Sequence, residues 1–138
     1  MNFVLDCSVT MAWLFEDQAD RYSEEVLQSL EKGAALVPIL WSYEVSNVLV
    51  VGERKKIITA FQSTRFLELL HNLNISFQPI HDVKYEETLL SNGRAFGLSS
   101  YDASYLALAM SRGLPLATRD RGLVQACSKA GVQIYRGA

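Results

Sequence analysis

The 138-residue sequence is poor in the groups that staple or anchor a protein. Its two cysteines, Cys7 and Cys127, are too few for a disulfide scaffold, and neither belongs to a Cys-x-x-Cys pair. The two histidines, His71 and His81, do not stand at zinc-ligand spacing from those cysteines, so no zinc site is expected. No apolar run approaches the roughly 20 residues that span a bilayer; Val48 to Gly52 is among the longest. The start of the chain does not read as a secretory signal, because Asp6 interrupts it and Glu16 and Asp17 follow soon after. Positive charge is also not in excess. Thirteen basic residues against 15 acidic ones give a net charge of −2, which argues against holding duplex DNA mainly by broad electrostatic attraction. That balance still admits a nuclease whose acids are matched by bound cations. Repeats, low-complexity tracts and Pro/Gly-rich linkers are missing. A single soluble, cytoplasmic domain over residues 1–138, with no membrane partner, is therefore the expectation.

What the sequence does contain is a core. Hydrophobic residues make up 49% and charged residues 20%, and at this length folding should bury about two-thirds of the extended chain's surface. Short apolar runs alternate with longer helical patterns. Phe3 to Leu5 reads as a strand ending near Asp6, followed by a helix from about Gln18 to Lys32 with Gly33 as its stop. Ala35 to Val37 is a second strand closed by Pro38. Helices are expected over Trp41 to Lys55 and Thr59 to Leu73, the latter with Phe66, Leu69, Leu70 and Leu73 at helical spacing. Ile75 to Ile80 is a strand, and Asp82 caps a helix lasting to about Phe96. A helix over Ser100 to Arg112, a strand over Pro115 to Thr118, a helix over Arg121 to Ala130 and a last strand over Val132 to Tyr135 complete the order. Strands separated by helices imply an α/β fold with a mostly parallel sheet flanked by helices.

Four acids stand where acids are costly. Asp6 and Asp120 each follow a strand, on the carboxyl edge where open parallel sheets bind ligands. Their plain alternatives are a turn residue and a helix cap. Glu44 shares its helical face with Trp41, Val48 and Val51, while Ser46 and Val50 lie on the other side. A carboxylate there needs a cation or donors, and an arginine partner is the alternative. Asp102 shares a face with Leu106 and Ala109, opposite Ser104 and Ser111; pairing with Ser99 in a capping box is its alternative. Together the four make an oxygen-rich, strongly negative set suited to Mg²⁺ or Mn²⁺. Setting them aside turns the rest of the chain slightly basic, which tolerates a polyanion. No Ser-His-Asp or Cys-His set and no GxxxxGK[ST] loop competes, so metal-dependent phosphodiester cleavage is the reaction class implied.

Four segments then carry a resemblance. VLDCSVTMAWLFED (Val4 to Asp17), WSYEVSNVL (Trp41 to Leu49), SSYDASYLALA (Ser99 to Ala109) and LATRD (Leu116 to Asp120), in this order and spacing, resemble PIN-domain ribonucleases of the VapC type, toxins of toxin–antitoxin pairs. The resemblance implies a PIN-like three-layer sandwich and a metal-dependent endoribonuclease acting in line on RNA. It implies that Asp6 and Asp102 ligate the metal directly, with Glu44 and Asp120 completing the site directly or through water. It places Ser8, Asn47 and Thr118 in supporting positions. Arg119 and Arg121, and less directly Arg94 and Lys129, are candidates for RNA phosphate contacts, with solvated surface charge as their alternative. A cognate antitoxin and a homodimer are the partners implied, and Met11, Trp13, Leu14, Val45, Leu49 and Phe66 are candidates for lining the antitoxin groove. Competing readings are a nonenzymatic PIN-like RNA- or protein-binding module and a haloacid-dehalogenase-like phosphatase, whose second Asp is replaced by Ser8. A phospho-accepting receiver domain would leave Glu44 without a role.

Overall fold

The computed structural model describes residues 2–78 and 84–137. Four strands form one all-parallel sheet: β1 (Asn2–Leu5), β2 (Ala34–Val37), β3 (Ile75–Phe77) and β4 (Leu116–Ala117), in the order β3-β2-β1-β4. Seven helices flank it among the described residues: α1 (Cys7–Ala12), α2 (Arg21–Ser29), α3 (Leu40–Arg54), α4 (Ala60–His71), α5 (Tyr85–Phe96), α6 (Ser100–Arg112) and α7 (Arg121–Ala130). None of these helices is long and apolar enough to cross a membrane.

The strand order follows from the residues. Phe3, Val4 and Leu5 form an unbroken apolar run and are fully buried, as a strand covered on both faces requires. β1 therefore takes an interior place, with Val4 paired to both Leu36 and Leu116. The chain first winds outward through β2 and β3, then crosses back to lay β4 on the other side of β1. The winding direction thus reverses between β1 and β4, and a crevice forms at the carboxyl ends of those two strands. α6 is buried all along Ala103–Ala109, the pattern of a helix enclosed by its neighbours. It stops at Gly113, whose left-handed backbone (φ 62°) a β-branched or bulky residue would resist.

Several expectations need correction. Cys7–Ala12 forms a six-residue helix that the sequence reading left out. The next helix starts at Arg21, not Gln18, because the Asp20 carboxylate accepts from Ser23 N and caps it; residues 16–18 make a separate 3₁₀ turn. The last strand shrinks to a single bridge between Leu116 and Ile134. Its alternating residues are used for packing instead: Tyr135 stacks on Phe3, and its carbonyl accepts from Tyr22 Oη. Ser104, expected opposite the core, is buried, with α5 packed on α6. Leu69 is exposed, although Phe66 and Leu70 are buried as its pattern required. Of the expected groove residues, Met11, Val45, Leu49 and Phe66 belong to the core, and Trp13 and Leu14 are partly buried against it. Ile80 and the expected cap Asp82 lie outside the described residues.

The α1–α3 contact is pinned by one buried bond, from Trp41 Nε1 to Thr10 Oγ1 at 3.0 Å. Thr10→Val conserves the shape but leaves the indole N–H without its acceptor. It should lower unfolding free energy by about 1–3 kcal/mol, read from urea denaturation midpoints at unchanged m-value. A change within error would show that the bond does not hold the two helices.

Candidate active site

Asp6 directly follows β1 and stands at the N-cap position of α1, with extended backbone (ψ 146°) and a backbone N–H bonded to the Ala117 carbonyl of β4. Its side chain is 5% exposed. Both Ser8 Oγ (2.6 Å) and Thr118 Oγ1 (2.8 Å) donate to Asp6 Oδ2. The direction of those bonds is fixed from behind: Ser8 Oγ accepts from Arg119 N and Thr118 Oγ1 accepts from Asp120 N, each at 3.0 Å. Two backbone N–H groups of the β4–α7 turn thus orient two hydroxyls, and these orient one carboxylate. Both donors fall on Oδ2.

Glu44 lies on the second turn of α3, half-buried, while Ser46 and Val50 are exposed. Its partner is not an arginine. Tyr105 Oη, from the fully buried Tyr105 of α6, donates to Glu44 Oε1. Burial first, then the charges of Asp6 and Glu44 and this bond, hold the phenol in its protonated, donating form. Tyr105 is the site residue that sequence reading missed. A tyrosine hydroxyl inside the apolar run of α6 requires a partner, and that need was the available signal.

Asp102 lies in the first turn of α6, half-buried. Ser99 Oγ caps this helix by accepting from Asp102 N (3.1 Å), so the cap uses the backbone of Asp102 and leaves its carboxylate out. Asp120 is exposed and does cap α7: its Oδ2 accepts from Leu123 N at 2.9 Å. Gly122 leaves room for this, since a Cβ there would stand 3.2 Å from Asp120 Oδ2.

The four carboxylates sense one another. Burial raises the Asp6 pKa, the two hydroxyl bonds lower it, and Glu44 and Asp120 add further upward pressure. Burial and then Asp102 raise Glu44 against the opposing pull of Tyr105. Burial and the charges of Asp6 and Asp120 push Asp102 up to about 6. Among the described residues, no lysine or arginine forms an ion pair with any of the four; the ion pairs present engage Glu25, Glu68 and Asp20. Nor do three of these side chains converge as a closed metal-ligand shell among the described residues. The donor set nevertheless fits Mg²⁺ or Mn²⁺, because Mg²⁺ keeps several waters and takes only one or two carboxylates directly. Asp6 and Asp102 could supply such direct contacts, and Glu44 and Asp120 could act through water.

The remaining candidates are peripheral. Asn47 is exposed on α3, one turn beyond Glu44. Arg119 Nε is bound to Asp20 Oδ2 at 2.8 Å, which turns this edge of its guanidinium away from a phosphate. Arg121 opens α7, Arg94 lies in α5 and Lys129 in α7, all three exposed.

The charge repulsion has a measurable sign. A carboxyl whose folded pKa is raised favours the folded state when protonated, so stability is lost as pH rises through its folded pKa. For Asp102 that window runs from 3.8 to about 6. In chelator, the melting temperature should therefore fall as pH rises through this range, and Asp102→Asn should melt higher than wild type at pH 7.5 but not at pH 4. Scanning calorimetry checks this. A lower melting temperature for the variant at pH 7.5 would mean that the Asp102 carboxylate supports the fold.

Comparison with known proteins gives the site its context. A protein-family model described as PIN domain matches residues 3–129. Among solved structures, PAE2754 from Pyrobaculum aerophilum is similar at TM-score 0.68 and 26% identity, over 91% of this chain and 79% of that one. VapBC2 from Rickettsia felis, solved bound to a DNA fragment from their promoter, is similar at TM-score 0.70 and 11% identity, over 98% of each chain. A toxin-antitoxin complex from Klebsiella pneumoniae is similar at TM-score 0.60 and 19% identity, over 86% of each chain. The sequence finds no match among curated proteins. With the family model matching residues 3–129, nearly all of the chain, this chain belongs to the PIN-domain family.

Proposed function

We propose that this chain is a metal-dependent endoribonuclease and the toxin of a toxin–antitoxin pair. The observation that carries the reading is a set of four carboxylates that repel one another, at the switch point of a PIN-domain sheet, with no basic side chain in an ion pair with any of them among the described residues. Such a set is costly to fold unless a cation takes the place of the missing positive charge. The toxin assignment is supported by the similarity to VapBC2 and to the Klebsiella toxin-antitoxin complex. A cognate antitoxin, an RNA substrate, a homodimeric state and a cytoplasmic location go with this reading.

A bound Mg²⁺ or Mn²⁺ would lower the pKa of a water and offset charge on the phosphoryl oxygens. The chain's own residues do the rest. Asp6, with Oδ2 fixed by Ser8 and Thr118, and Asp102, with no hydrogen bond to its carboxylate among the described residues, would be the direct ligands. Glu44, held at Oε1 by Tyr105, and Asp120, held at Oδ2 by the first turn of α7, would orient water and the attacked phosphate. In the net reaction one water adds across a P–O bond of the RNA backbone: its oxygen joins phosphorus, and its proton passes to the leaving oxygen. Ser8, Thr118 and Tyr105 act through the acids as positioning residues.

Incubating the protein with mixed RNA and Mg²⁺ or Mn²⁺ tests this directly. Wild type should yield fragments that disappear in chelator, and Asp6→Ala should lower the rate by at least about 100-fold. Equal cleavage by the two proteins, or none by wild type with either metal, would overturn the nuclease reading and favour a nonenzymatic binding module. Tyr105→Phe removes only the bond to Glu44. It should reduce kcat by about 10- to 100-fold with KM for RNA little changed, measured on a labelled oligonucleotide; unchanged kcat would remove Tyr105 from the site.

A further inference from the structure

Beside the acids lies a second feature that the phosphodiester chemistry does not use. A cavity of about 240 Å³ sits where the N-terminal turns of α3, α5 and α6 meet the carboxyl ends of β2 and β3. Its walls are mainly apolar, from Ile39, Leu40, Tyr85, Leu89 and Tyr101, and Gln78, Ser100 and Ser104 contribute polar groups. Tyr101 is 63% exposed and precedes Asp102 in the chain; Tyr43 is 70% exposed and precedes Glu44. Leu40 stands one helical turn before Glu44, a rise of about 6 Å along the axis. Ile39 and Tyr43 are four residues apart and therefore share one face of α3. Tyr101, which lines the cavity, thus immediately precedes Asp102, and Leu40, which also lines it, lies one helical turn before Glu44.

The ribonuclease reading above supplies the occupant, and this inference rests on it. An RNA strand whose phosphate lies at the four acids carries its bases to one side of the backbone. An apolar, aromatic-edged cavity whose Leu40 and Tyr101 lie within one helical turn of Glu44 and Asp102 along their helices suits the flat face of a base. It does not suit a phosphate, because no basic side chain lines it among the described residues. A base held in a duplex cannot leave its stack without cost, whereas unpaired bases readily stack on exposed aromatic side chains. We propose that this cavity receives a nucleobase next to the cut phosphate, stacked on Tyr101. Tyr101 is then a specificity-determining residue, and Ser100 is placed to meet a base edge.

The test separates this subsite from the catalytic reading by measuring binding without cutting. In the Asp6→Asn background with Mg²⁺, fluorescence anisotropy would follow a short single-stranded RNA in which one nucleotide at a time is replaced by an abasic ribose. At one position the abasic RNA should bind at least about tenfold more weakly. Tyr101→Ala should weaken intact RNA to a similar extent and abolish the sensitivity to that abasic position, and Tyr101→Phe should restore both. Tyr101→Ala removes an exposed side chain, and its thermal melt should match that of the parent. Equal abasic penalties with and without Tyr101, or no position-dependent penalty at all, would overturn the subsite. So would a Tyr101→Ala variant that loses self-association at unchanged RNA affinity, since the face would then be a protein contact. Tyr101-dependent base recognition in a protein that cuts no RNA would refute the nuclease reading and leave the subsite standing; metal-dependent cutting that ignores Tyr101 would do the reverse.

Discussion

The Asp6 carboxylate is the constraint on which the rest of the structure depends. It is a nearly fully buried acid directly after the buried Phe3–Leu5 run of β1, and two hydroxyls meet one of its oxygens. Those hydroxyls are in turn aimed by the N–H groups of Arg119 and Asp120. The chain of bonds joins the end of β1 to the end of β4, across the point where the winding direction of the sheet reverses. It therefore does two jobs. It satisfies donors and acceptors in a turn that would otherwise bury them unpaired, and it presents one acid in a fixed orientation to a crevice.

Around that fixed point the molecule accumulates charge of one sign. Desolvation and mutual repulsion raise Asp6, Glu44 and Asp102, yet among the described residues their hydrogen bonds come from hydroxyls and backbone, with none from lysine or arginine. Neutral donors orient a carboxylate without cancelling its charge. A guanidinium would stabilise the same acid more strongly, but it would occupy the place of a divalent ion. Tyr105 illustrates the difference: its hydroxyl holds Glu44 Oε1, and burial keeps it protonated. Arg119, which directly precedes Asp120, is tied by its Nε to Asp20.

Much of this was legible in the sequence, for identifiable reasons. Asp6 and Asp120 follow apolar runs too short to be anything but strands, and strand ends of a parallel sheet converge on one edge. Glu44 interrupts an apolar helical face, where a carboxylate has no inexpensive explanation. Other features depend on partners that periodicity does not reveal. Cys7–Ala12 mixes small polar and apolar residues over less than two turns, too few for a helical period to emerge. Val132 to Tyr135 alternates like a strand, but β4 is only two residues long and offers a ladder little to pair with. Ser104 looked solvent-facing because nothing in its own helix announces that α5 covers that side. The Tyr105–Glu44 bond joins residues 61 positions apart, so the sequence shows only that each side needs a partner.

The central claim is that one divalent ion takes the place of the missing positive charge, with Asp6 and Asp102 as its direct ligands. Anomalous scattering from a crystal soaked in Mn²⁺ tests it most directly, because it locates the ion without reference to activity. The account predicts a single strong peak at about 2.0–2.3 Å from a carboxylate oxygen of Asp6 and of Asp102, with Glu44 and Asp120 at direct or water-bridged distance. A peak elsewhere, or four acids that remain apart with no density between them at saturating Mn²⁺, would contradict it.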